Sequence, residues 1–235
     1  KYSPTQGRSV PFPRGRVTGG SSSVNTTIAL RGIPEDYNGW ADLGNSAWRW
    51  ENVLPAFNRL ERDLDFGHLS YHGDAGPISI RRYPREERVP QQEAFLDAAE
   101  QLGYPLCEDQ NDPQGWGAGP QPMNKIGRLR ISSAGAYLAP IRLRPNLKIH
   151  SQSTVTRLLF EKKKCIGAEV ITNTGETKRY EAQTTVLCAG AIMSPAIMLR
   201  SGIGPKEELE ALGITTVVDV PGVGKNLCDH PALAV

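Results

Sequence analysis

Ala189-Gly190-Ala191-Ile192-Met193-Ser194-Pro195-Ala196-Ile197-Met198-Leu199-Arg200-Ser201-Gly202-Ile203-Gly204 follows directly on the apolar run Thr185-Val186-Leu187-Cys188. The run reads as a buried strand. In the stretch itself Ser194 offers an N-cap hydroxyl, Pro195 suits the first helical position and Gly202 suits a left-handed C-cap. A strand, a glycine turn and a capped helix in that order point backbone N–H groups beyond the strand end. Such an arrangement favours an anionic cofactor.

Outward from this element, residues 147–150, 155–160 and 165–172 are short β-rich runs separated by turn chemistry, including Thr174-Gly175 before Tyr180. Three antiparallel strands, then the 185–188 strand and a helix, predict a meander inserted in a doubly wound sheet. A second helix at 205–212 ends at Gly213, and 216–220 is another strand. Nearer the start, Val53, Leu54, Phe57, Leu60 and Leu64 give helical spacing over 52–64, and 76–82 alternates through Ile78 and Ile80 as a strand. Phe95, Leu96, Ala99 and Leu102 share one face of a helix over 90–103. Residues 109–122, rich in Gly, Pro and Asn, form a long loop of a kind more often functional than idle.

Composition narrows the function. Of 235 residues, 39% are hydrophobic and 22% charged, which describes a soluble globular chain with material for one large domain or two small ones. Lys plus Arg (27) against Asp plus Glu (25) leaves a charge of +2, and no basic block is interleaved with aromatics, which excludes a nucleic-acid surface. Lys162-Lys163-Lys164 is the one basic run and reads as a solvated hairpin turn. No apolar stretch reaches the length of a membrane span, and no signal-peptide core opens the sequence. Cys107, Cys165, Cys188 and Cys228 are widely spaced, so neither a zinc site nor a disulfide framework is expected. Cys188 reads as a small buried hydrophobe, and a reducing, cytoplasmic compartment is the expectation.

Gly15-Arg16-Val17-Thr18-Gly19-Gly20-Ser21-Ser22-Ser23-Val24-Asn25 is the second dense segment. Adjacent glycines admit positive φ, and consecutive N–H groups can form a concave anion nest with serine hydroxyls and the Asn25 amide at its rim. A flexible Gly/Ser linker is the alternative, although the apolar Ile28, Ala29 and Leu30 follow at once.

Both segments resemble signatures of the glucose–methanol–choline (GMC) oxidoreductases, FAD enzymes that oxidise alcohols. One departure is Thr18, which stands where a branched apolar residue is usual. The resemblance continues through Arg31-Gly32, Asp36-Tyr37, Trp40, Leu43-Gly44-Asn45, Trp48, Val53-Leu54-Pro55 and Phe57. It extends to His72-Gly73, Gly76-Pro77, Arg144-Pro145-Asn146-Leu147 and Pro221-Gly222-Val223-Gly224-Lys225-Asn226-Leu227-Cys228-Asp229-His230-Pro231. It implies an α/β fold: an FAD-binding, Rossmann-like doubly wound sheet with an inserted β-meander, plus part of an α+β substrate domain. Residues 1–75 and 146–235 would belong to the FAD-binding domain and 76–145 to the substrate-binding domain.

Carried over position by position, the resemblance implies that Thr18, Gly19, Gly20, Ser21, Ser22, Asn25 and Thr26 line the flavin and pyrophosphate. Ala189 and Gly190 would approach the adenosine ribose and phosphate, Val155 would touch the adenine through its backbone, and Asp229 and His230 would close the isoalloxazine side. Members that tether FAD do so through a histidine where this chain has Val24, so FAD is expected to bind non-covalently. Choline-oxidising members carry a Glu where this chain has Ala232, which argues for another small-molecule alcohol as substrate.

Two parts of the family pattern are not found in the sequence: the G-x-G-x-x-G turn, and the C-terminal histidine that takes the alcohol proton. His68 and His72, in a polar glycine-rich loop, and His150 read as structural or solvated, with no orienting carboxylate evident. Asp229 and His230 are adjacent and point opposite ways on an extended segment. No catalytic base and no metal ligand are therefore assigned. A companion polypeptide or flanking segments are expected to supply the missing parts, and residues 1–235 alone are not expected to form a stable flavin-loaded monomer. The alternatives are a lyase or photodecarboxylase that keeps FAD without net alcohol oxidation, and a non-catalytic fragment of the fold.

Overall fold

Helix α1 (Pro34–Asp42) opens on Pro34, whose fixed φ suits a first turn and whose missing N–H costs nothing there. Asp36 Oδ2 accepts the Ile33 N–H at 3.0 Å and closes that turn. The helix belongs to the first of two compact units, Lys1–Lys148 and Ile149–Val235, in a computed structural model that describes residues 12–229. Only Tyr37 and Ala41 of α1 are buried, too few apolar positions for periodicity to reveal it. The Tyr37 ring meets those of Trp40, Trp50 and Phe57 at 5.4, 5.6 and 5.7 Å, joining α1 to helix α2 (Trp50–Leu60).

Helix α2 stops short of the expected 64. Glu61 turns to an extended conformation (φ −112°, ψ 157°), and strand β1 (Glu61–Asp63) pairs in parallel with β2 (Ile78–Ile80), Glu61 opposite Ile78 and Asp63 opposite Ile80. The acids at 61 and 63 are drawn inward by buried cations, which overrides the helical spacing of Leu60 and Leu64. Helix α3 (Pro90–Gln101) lies where its apolar spacing predicts. Strands β3 (Lys125–Ile126) and β4 (Leu129–Arg130) form a small hairpin. Residues 109–122 form no helix or strand, as expected; a parallel bridge between Leu106 and Ala118 closes the base of the loop.

In the second unit, β5 (Ser153–Glu161), β6 (Lys164–Thr172) and β7 (Thr177–Glu181) form an antiparallel meander in that order. Lys162 takes φ +54° in the two-residue turn between β5 and β6, so Lys162 and Lys163 form the expected hairpin turn while Lys164 opens β6. The meander uses 177–181 rather than 147–150, which joins no strand; His150 Nδ1 instead lies 3.1 Å from the Tyr180 hydroxyl. Residues 185–188 likewise join no ladder among the described residues, and Val186 is 77% exposed. Both runs have strand composition, but a strand exists only where a neighbour takes its N–H and C=O groups. Cys188, expected to be buried, is exposed because no layer covers this segment.

Helix α4 (Gly190–Arg200), β8 (Ile203–Gly204), α5 (Lys206–Ala211) and β9 (Val218–Asp219) complete the unit, with β8 and β9 parallel across α5. The chain is thus mixed α/β, and its described residues form four small sheets rather than one doubly wound sheet. Leu209 on α5 is 1% exposed and Ile197 on α4 is 3% exposed. Leu209→Ala should cost about 2–5 kcal/mol in urea unfolding; a loss under about 1 kcal/mol would show that this core is not a core. Among the described residues, no helix is long and apolar enough to cross a membrane.

Candidate functional site

The glycine turn of the first unit is built by its own side chains. Gly19 is left-handed (φ +92°, ψ −6°), Gly20 follows at φ +56°, and Gly20–Ser23 continues as a 3-10 turn. Two consecutive positive φ values are a backbone that glycine adopts at little cost. A Cβ on Gly15 would lie 2.2 Å from the Gly20 carbonyl oxygen, so only glycine fits there. Ser21 Oγ accepts the Gly15 N–H at 3.2 Å, Ser22 Oγ donates to Gly19 O at 2.5 Å, and Ser23 Oγ donates to Thr18 O at 3.0 Å. The three hydroxyls thus staple the turn, whereas the sequence pattern suggested donors for a ligand. Asn25 Oδ1 accepts from Arg130 Nη1 at 2.6 Å and from the Thr27 N–H at 3.1 Å, while Thr18 and Thr26 are exposed. A Cβ on Gly20 would meet no atom within 4 Å, while the Gly20 N–H itself donates to Val17 O at 2.8 Å inside the turn.

In the second unit Gly190 repeats this feature, with φ +84° and nothing within 4 Å of a would-be Cβ. It starts α4, one turn earlier than expected. Ala189, not Ser194, is the N-cap, and Pro195 lies inside the helix. Ser194 still serves the helix start, its Oγ accepting the Ala189 N–H at 3.0 Å. The first N–H groups of α4 lack partners within the helix and present partial positive charge at an exposed surface. Val155, half-buried on β5, faces Val170 on β6, next to a register shift between Val155 and Arg157. Asp229 is exposed, and His230 lies outside the described residues. Within the second unit, the start of α4 has the donor chemistry that an anionic group requires.

The most elaborate constellation is one that the sequence reading did not find. His72, expected to be structural or solvated with no orienting carboxylate, has a side chain with no exposed surface. Its Nδ1 lies 2.7 Å from Glu61 Oε1 and 3.3 Å from Asp63 Oδ2, and its Nε2 lies 2.8 Å from Asp109 Oδ2. Arg82 Nη1 donates to both oxygens of Asp63 at 2.9 Å, and its Nη2 donates to Asp109 Oδ1 at 2.5 Å. Arg31 pairs with Glu61 and donates to Tyr71 O at 2.6 Å. Burial alone would lower the pKa of His72, but hydrogen bonds to Asp109 and Glu61 and the charge of Asp63 outweigh it and raise the value to about 9. Burial would raise Glu61 and Asp109, but the His72 hydrogen bonds and the charges of Arg31 and Arg82 hold both below the ordinary carboxylate range.

Three cations therefore meet three carboxylates in a buried, charge-balanced cluster. Glu61, Asp63 and His72 have the donor types of a metal site. Guanidinium and imidazolium groups already occupy those oxygens, however, and a second cation there would meet positive charge. The signal in the sequence was acids at 61, 63 and 65, every second residue, which strand geometry puts on one face.

Comparison with known proteins follows the same lines. The profile of the GMC oxidoreductase family matches residues 2–232. A 5-(hydroxymethyl)furfural oxidase of Methylovorus sp. (strain MP688) is 42% identical over 225 residues, covering 95% of this chain and 42% of that protein. The mitochondrial choline dehydrogenase of Mus musculus is 41% identical, covering 93% and 36%. Among solved structures, a pyridoxine 4-oxidase from Mesorbium loti superposes with a TM-score of 0.82 at 37% identity, over 88% of this chain and 41% of that one. A formate oxidase of Aspergillus oryzae, studied for modification of its FAD, superposes with a TM-score of 0.82 at 29% identity, over 92% and 38%. The chain spans about two fifths of the length of these relatives.

Proposed function

Because this chain belongs to the GMC oxidoreductase family, we propose that the protein carrying it binds FAD and oxidises an alcohol to an aldehyde or ketone. The observation that supports this best is Gly190 at the start of α4, left-handed at φ +84° with nothing within 4 Å of a would-be Cβ. Backbone N–H groups of the Thr18–Ser22 turn and the Asn25 and Thr26 region would bind the flavin and pyrophosphate. Ala189 and Gly190 would bind the adenosine ribose and phosphate, Val155 would contact the adenine, and Asp229 and His230 would close the isoalloxazine side. Bound FAD would supply the hydride acceptor, at flavin N5.

Residues 1–75 and 146–235 would then serve FAD and 76–145 the substrate, with the loop at 109–122 and its 67%-exposed Trp116 at the substrate entrance. The hydroxyl proton of the alcohol needs a base. His72 cannot take it at neutral pH, being already protonated and sealed from solvent. Sequence beyond these 235 residues would supply that base, the G-x-G-x-x-G turn and the remaining strands of a doubly wound sheet, in keeping with the greater length of the relatives.

Anaerobic mixing of the native-length protein with a panel of primary alcohols should bleach the yellow flavin band. A band that stays yellow with every alcohol overturns the oxidation reading. Val24, 56% exposed and without a nucleophile, stands beside the signature Asn25, so FAD should stay in the supernatant after acid precipitation. Colour in the pellet would show a covalent tether.

A further inference from the structure

The buried cluster closes on itself through the loop at 109–122. His72 joins Glu61 to Asp109; Asp109 Oδ1 accepts the Asn111 N–H at 3.0 Å. Asn111 Oδ1 accepts the Arg31 N–H at 2.9 Å, and its Nδ2 donates to Ala29 O at 3.1 Å. Arg31 returns to Glu61. The circuit His72–Asp109–Asn111–Arg31–Glu61 therefore ties three segments far apart in sequence. They are β1, the loop, and the extended segment that runs on from the glycine turn. Within it, His72 links β1 directly to the loop, and outside it Arg82 makes a second link, from Asp63 to Asp109.

We propose that His72 is a positioning residue: a two-ended strap that fixes the loop at 109–122 against β1 and the 29–31 segment, and so sets how the loop meets substrate. The substrate part rests on the reading that this loop borders the substrate entrance. Everything facing the imidazole is accounted for by named groups. Glu61 and Asp63 approach from β1 and Asp109 from the loop, with Arg82 behind Asp63 and Asp109, and Arg31 behind Glu61. The Tyr71 and Phe66 rings lie 4.9 and 6.3 Å from it, and Asp65 reaches only Arg82. The strap is charged at neutral pH and loses its charge as pH passes about 9, and charge-assisted hydrogen bonds are the strong ones.

The two ends can be cut separately. An asparagine amide can stand in for Nδ1 and keep Glu61, whereas a glutamine amide can stand in for Nε2 and keep Asp109. In the native-length holoenzyme, His72→Asn should speed amide exchange at residues 107–118 about tenfold or more, and His72→Gln much less, with helix α3 as internal control. KM should rise in His72→Asn while kcat changes little. Exchange of the wild-type loop, corrected for base catalysis, should also quicken as pH passes about 9, and not in His72→Asn. If both variants lose global stability alike and the loop amides keep their protection relative to α3, the strap is overturned. If loop exchange rises in His72→Asn while KM stays put, the strap stands and the placement of the loop at the substrate entrance falls.

Discussion

Replacing Asp63 by alanine should remove about 3–5 kcal/mol of stability, the largest loss expected from any single surface-remote carboxylate in this chain. Its side chain has no exposed surface and receives Arg82 Nη1 on both oxygens. It also accepts the N–H groups of Asp65 and Phe66 at 3.0 and 2.9 Å. Alanine would leave a buried guanidinium facing a buried imidazolium, with two loop amides unpaired. Asp63→Asn keeps the shape and the acceptor oxygen and should cost less. Urea midpoints of the two variants decide it; a loss below 1 kcal/mol for alanine would mean that water enters and repairs the site.

The same cluster sets a pH profile. His72 is raised from 6.5 to about 9, so its stabilisation is complete below 6.5 and fades as pH climbs through 9. Glu61 and Asp109 are lowered from 4.5 and 3.8, so theirs is present above those values and fades as pH falls through the depressed ones. The urea midpoint should therefore be highest between about 4.5 and 6.5, and His72→Gln should flatten the alkaline limb.

Gly15→Ala should largely empty the protein of FAD while leaving it folded. The new Cβ would press to 2.2 Å on the Gly20 carbonyl and 2.7 Å on the Ser21 nitrogen, forcing open the turn on which the proposed pyrophosphate contacts depend. Overpacking of this kind costs about 1–3 kcal/mol. If FAD must restore the turn in order to bind, that is roughly a 5- to 150-fold loss of affinity. Gly20→Ala is the informative companion, because its Cβ meets nothing within 4 Å and its cost without ligand is only the strain of φ +56°. The ratio of flavin to protein absorbance in purified variants reads both. Full flavin content in Gly15→Ala would place the cofactor elsewhere.

What could be read from sequence was whatever is local. Two strands of the meander, β5 and β6, and helices α3 and α5 come from residue pattern bounded by turn residues, and the structure keeps them, while the third strand is 177–181 rather than 147–150. The 147–150 and 185–188 runs have strand composition, but pairing is non-local and no described neighbour supplies it. Helix α4 was legible as a helix but not in its start, because Ser194 caps by reaching back to Ala189 rather than by sitting at the end. The His72 circuit escaped altogether. Its members at 31, 61, 72, 109 and 111 share no spacing, and a histidine beside a glycine looks like a loop until the chain folds its carboxylates around it.

The loop at 109–122 looks like open ground for changing specificity, but its packing leaves little of it free. Asp109 and Asn111 are bound into the cluster, and a methyl group on Gly117 or Gly119 would strike the carbonyls of Pro105 or Cys107, at 2.1 and 1.7 Å. A methyl group on Gly115 would lie 2.9 Å from Asp112 Cβ and 3.0 Å from Cys107 Sγ. Among its middle positions Gln114, Gly115 and Trp116 are exposed, and of these Gln114 and Trp116 already carry side chains. A library that randomised the whole loop would spend most of its members on chains that cannot close it. One confined to Gln114 and Trp116 would vary the rim and leave the frame intact.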